Sequence, residues 1–397
     1  MRVTTGSTYR NFTSSVNNVH LKLNKSMNKI TTGAAYEKAA DSPLSYYIGQ
    51  KIDSQYQDTL TKNTLLTDVK NRLYQQELGV RDIQLTLSKA KTQVQYGRTA
   101  TTTGEADIQT IKEDLMQKVR TIANDLNTQY QDFYVYGGND VTTTPFALDI
   151  DLENREMTLT YSHTFPGETD VTNFEFKLSK DQTTGEYKFE LQPPAAGGVT
   201  PAEHQAKLVK AMSEQGRIDI GYGSINDRDT LLDTYTGGLN VLTGYNSDAV
   251  RAMAGPNGAN SATAFKNIME GSKGEYGMDN SAIALIGKAI FAIEDYQETG
   301  DKEKLDDMLA STIDSMTTAE RTLSTTYSDL GNKSKVLDET ATRLDSIEDS
   351  LNEQYKDTLG ADPYAAIMEM FNNQYSYNAA LQVGSKLMTT SLFDFVR

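Results

Sequence analysis

Residues 363–397 read PYAAIMEMFNNQYSYNAALQVGSKLMTTSLFDFVR. Ile367, Met370, Gln374, Tyr377, Leu381, Gly384 and Met388 recur at alternating steps of three and four. That is the heptad seam of a helix lying along a partner helix rather than in a globular core. Gln374 and Gly384 dilute the seam, so this helix needs a partner. Residues 12–30 offer one. Phe12, Val16, Val19, Leu23 and Ile30 form a second short seam, with Ser26 or Met27 at the missing step. An isolated helix of that length is marginal in water, which makes pairing of the two ends the natural expectation.

Between the ends, Gly33 reads as the stop of the first helix. Asp41 or Ser42 then caps a second, with Pro43 at its first position. Leu44, Ile48 and Ile52 open a stripe that resumes as Leu66, Val69, Leu73, Val80, Ile83, Leu87 and Val94. A helix over roughly 43–96 would run about 80 Å, the length of a rod. Tyr96-Gly97 and the threonines of 99–103 are expected to break it. Ile108 to Leu126 forms a returning helix, closing in the aromatic stretch Tyr130–Gly138 and a turn.

The period then changes from helical to alternating. Residues 156–161, 171–178 and 187–191 read as half-buried strands, the last two joined by a turn at 183–186. Pro201–Gln215 reads as a short helix and Arg217–Tyr222 as a fourth strand. Residues 237–280 read as Gly- and Asn-rich connections. The helical period returns at Ile283–Ile293, stops at Gly300, and resumes from Lys302 to about Gly360. Asp362-Pro363 caps the terminal seam. The fold class is mainly α with a β-rich insert. The expected order is an N-terminal coiled-coil arm (1–42), rod helices (43–140), a β-rich inserted outer domain (141–278), returning rod helices (279–362) and a C-terminal coiled-coil arm (363–397).

Composition narrows the function classes. The 397 residues include 22 Tyr and 12 Phe, which argues against disorder although only 38% are hydrophobic. Cysteine is absent, which removes disulfides, thiolate nucleophiles and thiolate metal sites. The net charge of −16 is uneven: residues 1–138 sum to about +4 and 363–397 to about 0, so the acid lies between them. No element concentrates Lys and Arg as a nucleic-acid binder would, and no run is apolar enough to span a membrane. The first fifteen residues lack the apolar core of a cleavable signal.

No catalytic or cofactor constellation is legible. His20, His163 and His204 lie in three separate contexts, and packing or surface roles suit them better than ligation. Gly221-Tyr222-Gly223 follows a strand, but Asn226 breaks the dinucleotide fingerprint. Asp149, Asp151 and Glu153 begin like a calcium loop without its Gly or closing Glu, so a solvated turn is the better reading. Helix carboxylates such as Glu348, Asp349 and Glu353 read as solvated faces. The expectation is a protein that is not an enzyme and holds no cofactor or metal.

Lys29-Ile30-Thr31-Thr32-Gly33, Tyr36 and Lys38-Ala39-Ala40-Asp41-Ser42-Pro43 resemble the N-terminal signature of the flagellin superfamily, with Ser42 where that family more often has a second Asp. The likeness covers roughly 1–140 and 303–397 and leaves the insert unmatched. Tyr134-Val135-Tyr136-Gly137-Gly138-Asn139 with Thr144-Pro145-Phe146 resembles a passage of the hook-associated protein 3 branch, the hook–filament junction proteins. So does the C-terminal run through Val383-Gly384-Ser385-Lys386-Leu387-Met388 to Ser391-Leu392-Phe393-Asp394-Phe395. The resemblance implies export without a cleaved signal, an extracellular place in the bacterial flagellum, and paired arms inside a bundle with the middle domain outward. The partners it implies are other copies in a ring, hook-associated protein 1, flagellin, and an export chaperone at the C-terminal arm, with neither nucleic acid nor membrane. The filament subunit, flagellin, is the alternative within the family, and a cytosolic coiled-coil scaffold is the alternative outside it. The candidate assembly residues are Val16, Val19, Leu23 and Ile30 against Ile367, Met370, Leu381 and Met388, with Leu392, Phe393 and Phe395 as a terminal apolar anchor.

Overall fold

The computed structural model describes the chain except residues 1–4, 37, 101–104, 183, 195–198, 215, 220–230, 234–235, 272–275 and 394–397. The protein is mainly helical with a small β-sheet. The chain divides into two compact units, a terminal one (1–65 with 341–397) and a central one (66–340). Helices α2 (Pro43–Ala100) and α9 (Lys302–Leu359) contribute residues to both.

The terminal unit holds α1 (Thr5–Thr32), the start of α2, the end of α9 and α10 (Pro363–Phe393). The turn between α1 and α2 is built as its residues dictate. Gly33 takes φ +68°, the left-handed conformation that ends a helix, and its N–H bonds Lys29 O at 2.9 Å. Ser42 precedes Pro43; its carbonyl accepts from Tyr46 N–H at 2.9 Å and its hydroxyl donates to Ser45 Oγ at 2.9 Å. Asp41 is turned elsewhere, to the Lys38 amide and the Lys25 ammonium. Asp362 caps α10, accepting from the amides of Tyr364 and Ala365 at 2.9 and 3.3 Å. Within this unit α2 and α9 run antiparallel, with Leu359 seated on Gly49, Tyr56 donating to Glu348 (3.2 Å) and Asn63 donating to Asp345 (2.6 Å).

The central unit carries the core. Leu73, Val80, Ile83, Leu87 and Val94 of α2 are fully buried, as are Leu115, Val119 and Ile122 of α3 (Glu105–Asp125). So are Ile283, Ile286, Ile290 and Phe291 of α8 (Ala282–Thr299) and Leu309, Met316 and Leu330 of α9. The expected break at Tyr96-Gly97 does not occur. Gly97 continues α2 and is buried, the side chain of Ile111 lying about 3.6 Å from where a Cβ would stand. Packing against α3 outweighs the poor intrinsic preference of Gly for a helix.

After α3 a two-residue ribbon forms, β1 (Gln129–Tyr130) with β2 (Phe133–Tyr134), turning through Gln131 and Asp132 at positive φ. A four-stranded antiparallel meander follows: β3 (Phe146–Asp151), β4 (Glu156–Thr164), β5 (Val171–Lys180) and β6 (Tyr187–Leu191), paired in chain order. Register sets Met157 opposite Leu178, Leu159 opposite Phe176, and Tyr161 opposite Phe174. All six side chains are buried, so one face of the sheet is covered while its other side chains stay wetter. Met157 and Leu178 press on Gly287 of α8, and Tyr187 meets Phe291 with ring centroids 5.3 Å apart.

Three sequence expectations for the insert need correction. Asp149, Asp151 and Glu153 do not share one solvated turn: Asp149 and Asp151 are residues of β3, and Asp151 closes the β3–β4 turn by accepting from Asn154 N and Nδ2 at 3.1 and 2.7 Å. Arg217–Asp219 (β7) does not join the sheet but pairs with Leu231–Asp233 (β8). Its expected continuation to Tyr222, with Gly221-Tyr222-Gly223, lies outside the described residues. Between 237 and 280 the chain forms α5 (Gly238–Thr243), α6 (Ser247–Ala254) and α7 (Ser261–Glu270), not a loop. The helix expected at Pro201–Gln215 is α4 (Pro201–Ser213), opened by a Thr200–Glu203 capping box.

Candidate assembly surface

Helices α1 and α10 pair antiparallel over their described lengths. Phe12 lies against Gly384, His20 meets the ring of Tyr377 at 5.4 Å, and Lys29 pairs with Glu369 at 2.9 Å. Between them Asn373 Nδ2 donates to Lys22 O and to Ser26 Oγ, both at 3.3 Å. The pair is closed at its base by backbone hydrogen bonds from Ala35 N to Leu359 O (2.6 Å) and from Ala361 N to Gly33 O (2.8 Å). The Gly33 region of the signature and the start of the C-terminal helix therefore meet in space.

On α1 the inward face is the one the sequence marks. Val16, Val19 and Leu23 are half-buried alongside Phe12, and Ser26 rather than Met27 fills the missing step, fully buried. Ile30 is 38% exposed. On α10 the seam departs from the reading by one position at every second site. Met370, Tyr377 and Gly384 face α1, but the intervening positions are Ala366, Asn373 and Ala380 rather than Ile367, Gln374 and Leu381. Ala366 is 4% exposed while Ile367 is 38% and Leu381 46%. Met388, Leu392 and Phe393 belong to α10, with side chains outside the described residues, and Phe395 lies outside them altogether.

The misreading has a physical cause. Bulky apolar residues dominate any periodicity count, whereas close helix approach selects small ones. A Cβ at Gly384 would fall inside the ring of Phe12, so Gly384 is a receptor for that ring and not an interruption of the seam. Ala366, Ala380 and Gly384, at spacings of fourteen and four, are the available signal.

The opposite face of α10 is apolar too. Tyr364, Met368, Phe371 and Tyr375 recur at steps of four, three and four, about half a turn from the α1-facing residues, and all four are exposed. Tyr364 is 83% and Tyr375 78% exposed. On α2, Leu44, Tyr47 and Ile48 are exposed as well. Among the described residues, most of the large exposed apolar side chains lie in the terminal unit, and the twelve largest fully buried ones all lie in the central unit.

Several buried titratable groups of the central unit are shifted from their ordinary range. His163, buried on β4, is held below the ordinary imidazole range by burial, against the pull of Asp140. Burial alone would raise Asp140; hydrogen bonds from Thr143, Thr142 and Thr164 outweigh it and hold the carboxyl below its usual range. His204 of α4 stacks on Phe174 at 4.6 Å and is lowered by burial and by Lys207. Both imidazoles pack as rings. Among the described residues no three His, Cys, Asp or Glu side chains gather as a metal site, and no helix is long and apolar enough to cross a membrane.

The resembling passage Tyr134–Asn139 is packed into α2. Tyr136 is fully buried, its hydroxyl donates to Gln76 O at 2.7 Å, and it stands where a Cβ on Gly79 would be. Gln76 Nε2 donates to Val135 O (2.7 Å) and Thr236 O (3.1 Å), and Arg72 Nη2 to Tyr134 O (2.9 Å).

No family model matches the chain. No curated protein matches it either. Among solved structures it is similar to a chain from Vibrio parahaemolyticus provisionally described as a flagellar hook-associated protein. The two are 10% identical, the match covers 81% of this chain and 100% of that one, and the TM-score is 0.48.

Proposed function

We propose that this protein is a structural, non-enzymatic component of the bacterial flagellum, exported to the cell exterior, which joins hook to filament as a ring of copies between hook-associated protein 1 and flagellin. The observation that carries the reading is the contrast between the two units. The central unit buries its own large side chains. The terminal unit, which holds both of the family-like chain ends, leaves an aromatic and methionine stripe of α10 open to water. A contiguous apolar stripe of this kind is the mark of a surface that other chains cover. The near-neutral charge of the ends, in a chain of net −16, removes the repulsion that would oppose stacking of copies.

The experiment is removal of residues 363–397 in a flagellated strain. The central unit should still fold, while the truncated protein fails to assemble and flagellin is lost to the medium. Normal motility with attached filaments would sink the reading. Shearing separates the junction role from that of the filament subunit: a junction protein is a trace component at the filament base, and flagellin is the bulk of the filament. Retention of the intact chain inside cells that export other flagellar proteins would favour a cytosolic scaffold instead.

A further inference from the structure

The two edges of the four-stranded sheet are treated differently. In an antiparallel ladder alternate residues turn their N–H and C=O toward the partner strand, and the rest turn theirs away. On β6, Gln192 N bonds Glu175 O at 2.8 Å, so Lys188 and Glu190 face β5 and Phe189 faces outward. Asp279, from the turn Met278–Asn280, accepts from Phe189 N at 2.6 Å and so occupies the centre of that edge. On β3, Ser162 N bonds Pro145 O at 2.9 Å, which turns the backbones of Phe146, Leu148 and Ile150 away from β4. Phe146 is closed by the Asn127 side chain, which accepts from its N–H at 2.9 Å and donates to its carbonyl at 2.7 Å. Leu148 and Ile150 have no such partner among the described residues. Their N–H and C=O groups form an open edge, a ready template for another strand.

The side chains along this edge alternate in character. Leu148 stands opposite Leu159 and Ile150 opposite Met157, on the covered face of the sheet. Leu159 and Met157 are fully buried, but Leu148 and Ile150 are only half-buried. A further strand would finish covering them. Asp149, between them, projects from the other face and is exposed, with no ion pair or hydrogen bond among the described residues. Lys177, on that face beyond Thr158, is already engaged by Glu156 at 2.7 Å. A second copy of β3 aligned on the same two open residues would set Asp149 against its own counterpart, and like charges directly opposite are destabilising.

We propose that β3 accepts an extended peptide segment as an additional antiparallel strand, with apolar side chains opposite Leu148 and Ile150 and a lysine or arginine opposite Asp149. Strand addition of this kind takes its affinity from the main chain and its selectivity from alternate side chains. The peptide residues opposite Leu148 and Ile150 exchange both hydrogen bonds with them, whereas the residue opposite Asp149 turns its N–H to solvent. The site lies in the central unit and does not rest on the flagellar reading.

Calorimetric titration of the full chain with an end-blocked peptide that alternates valine and lysine tests the proposal. Saturable one-to-one binding is expected at up to millimolar peptide, and none for a peptide that alternates valine and glutamate. N-methylation of the valines should abolish binding and N-methylation of the lysines should leave it, since only the valine amides point at β3. Both methylated peptides keep their charge, so attraction to a chain of net −16 would not distinguish them. Asp149→Lys, a change at an exposed position, should weaken the lysine peptide about tenfold and admit the glutamate peptide, with unchanged circular dichroism. Absence of binding by the lysine peptide overturns the proposal. So does binding that survives methylation of the valines, binding lost on methylation of the lysines, or unchanged affinity in Asp149→Lys. A dimer of the chain alone that the peptide disperses in sedimentation would assign the edge to a second copy, and overturns it as well.

Discussion

Gly79 is where α2 admits Tyr136, and the pair shows how a single missing side chain sets a local structure. Tyr136 reaches the helix backbone and donates to Gln76 O at 2.7 Å only because nothing projects from position 79. Gly79→Ala gains about 1 kcal/mol of helix preference but drives a methyl into a fully buried phenol, for a net cost of about 1–3 kcal/mol. Tyr136→Phe loses one buried hydrogen bond and leaves Gln76 O without that donor, about 1–2 kcal/mol. Since the hydroxyl is the atom nearest the new methyl, the two changes should couple. In urea melts the double variant is expected to be at least about 0.5 kcal/mol more stable than the sum of the singles implies; strict additivity would show that the hydroxyl is not what Gly79 accommodates. Gln76→Leu is harsher, because Val135 O, Thr236 O and Thr236 N–H all lose the amide that joins them. It should cost about 1–3 kcal/mol for each group left buried and dry, which the midpoint of the same melts would report. The Tyr-Val-Tyr-Gly-Gly run was legible as a motif. Its partner was not, because a buried glutamine in a helix looks like any solvated one.

At the scale of elements, long periodic stripes were readable and short capped pieces were not. The stripes of α3, α8 and α9, and that of α2 from Ile52 onward, fall where periodicity puts them, because each repeats over many turns, whereas Leu44 and Ile48 at the start of the α2 stripe are exposed. Helices α5, α6 and α7 were read as connections because Gly and Asn were counted as loop residues, whereas here they punctuate helices. Gly244 ends α5 at φ +77°, Asn246 caps α6 by accepting from Ala249 N at 2.8 Å, and Gly271 ends α7 at φ +83°. Strand β3 escaped because Asp149 and Asp151 mask its alternation. In the candidate assembly surface, small residues carry the α10 side of the contact, so a search for bulky ones lands one position away. The C-terminal end of α3 supports a pH prediction. Asp125 stands at that end with Oδ2 buried and without a hydrogen-bond partner, and burial together with Asp82 pushes its pKa up to about 6. A carboxyl raised above its unfolded value favours folding below that value and opposes it once ionised. Its penalty therefore appears as pH rises from about 4 through about 6. Asp125→Asn should stabilise the protein by about 1–2 kcal/mol at pH 8, discounted because the side chain is only half buried, and by little at pH 4. Thermal melts at the two pH values check this, and equal gains at both would assign the effect to the helix terminus instead. His163 and His204 act in the opposite sense. Lowered by burial, they contribute stability above about pH 6.5 that is lost as pH falls below it.

At the scale of the whole molecule, the chain separates what folds by itself from what is left open. Residues 66–340 are continuous in sequence and, among the described residues, contain every one of the twelve largest fully buried side chains, from Leu73 to Phe291. The terminal unit is assembled from two segments, so that Lys29 and Glu369 meet across 340 residues, and its seam mixes half-buried Phe12, Val16, Val19, Leu23, Met370 and Tyr377 with the small or polar Ser26, Ala366, Asn373, Ala380 and Gly384. Side chains that are only half-buried, alternating with small and polar ones, remove little apolar surface from water at about 25 cal/mol for each Å², so the α1–α10 pair has a thin margin over the entropy of ordering two long helices. A fragment of residues 66–340 is therefore expected to fold with one cooperative thermal transition and native-like near-ultraviolet circular dichroism. In the full chain, amide exchange in α1 and α10 should be orders of magnitude faster than in α3 and α8, since local opening there leaves the central core intact. Replacing the polar layer, Ser26→Leu with Asn373→Leu, should slow exchange in both terminal helices together, because the substituted residues oppose each other across the pair. Slowing in only one helix would mean that the two do not open as a unit. Exchange as slow in α10 as in α8 of the unmodified chain would mean that the pair is already stable alone, and that the exposed Tyr364–Tyr375 stripe rather than the seam holds what assembly still has to cover.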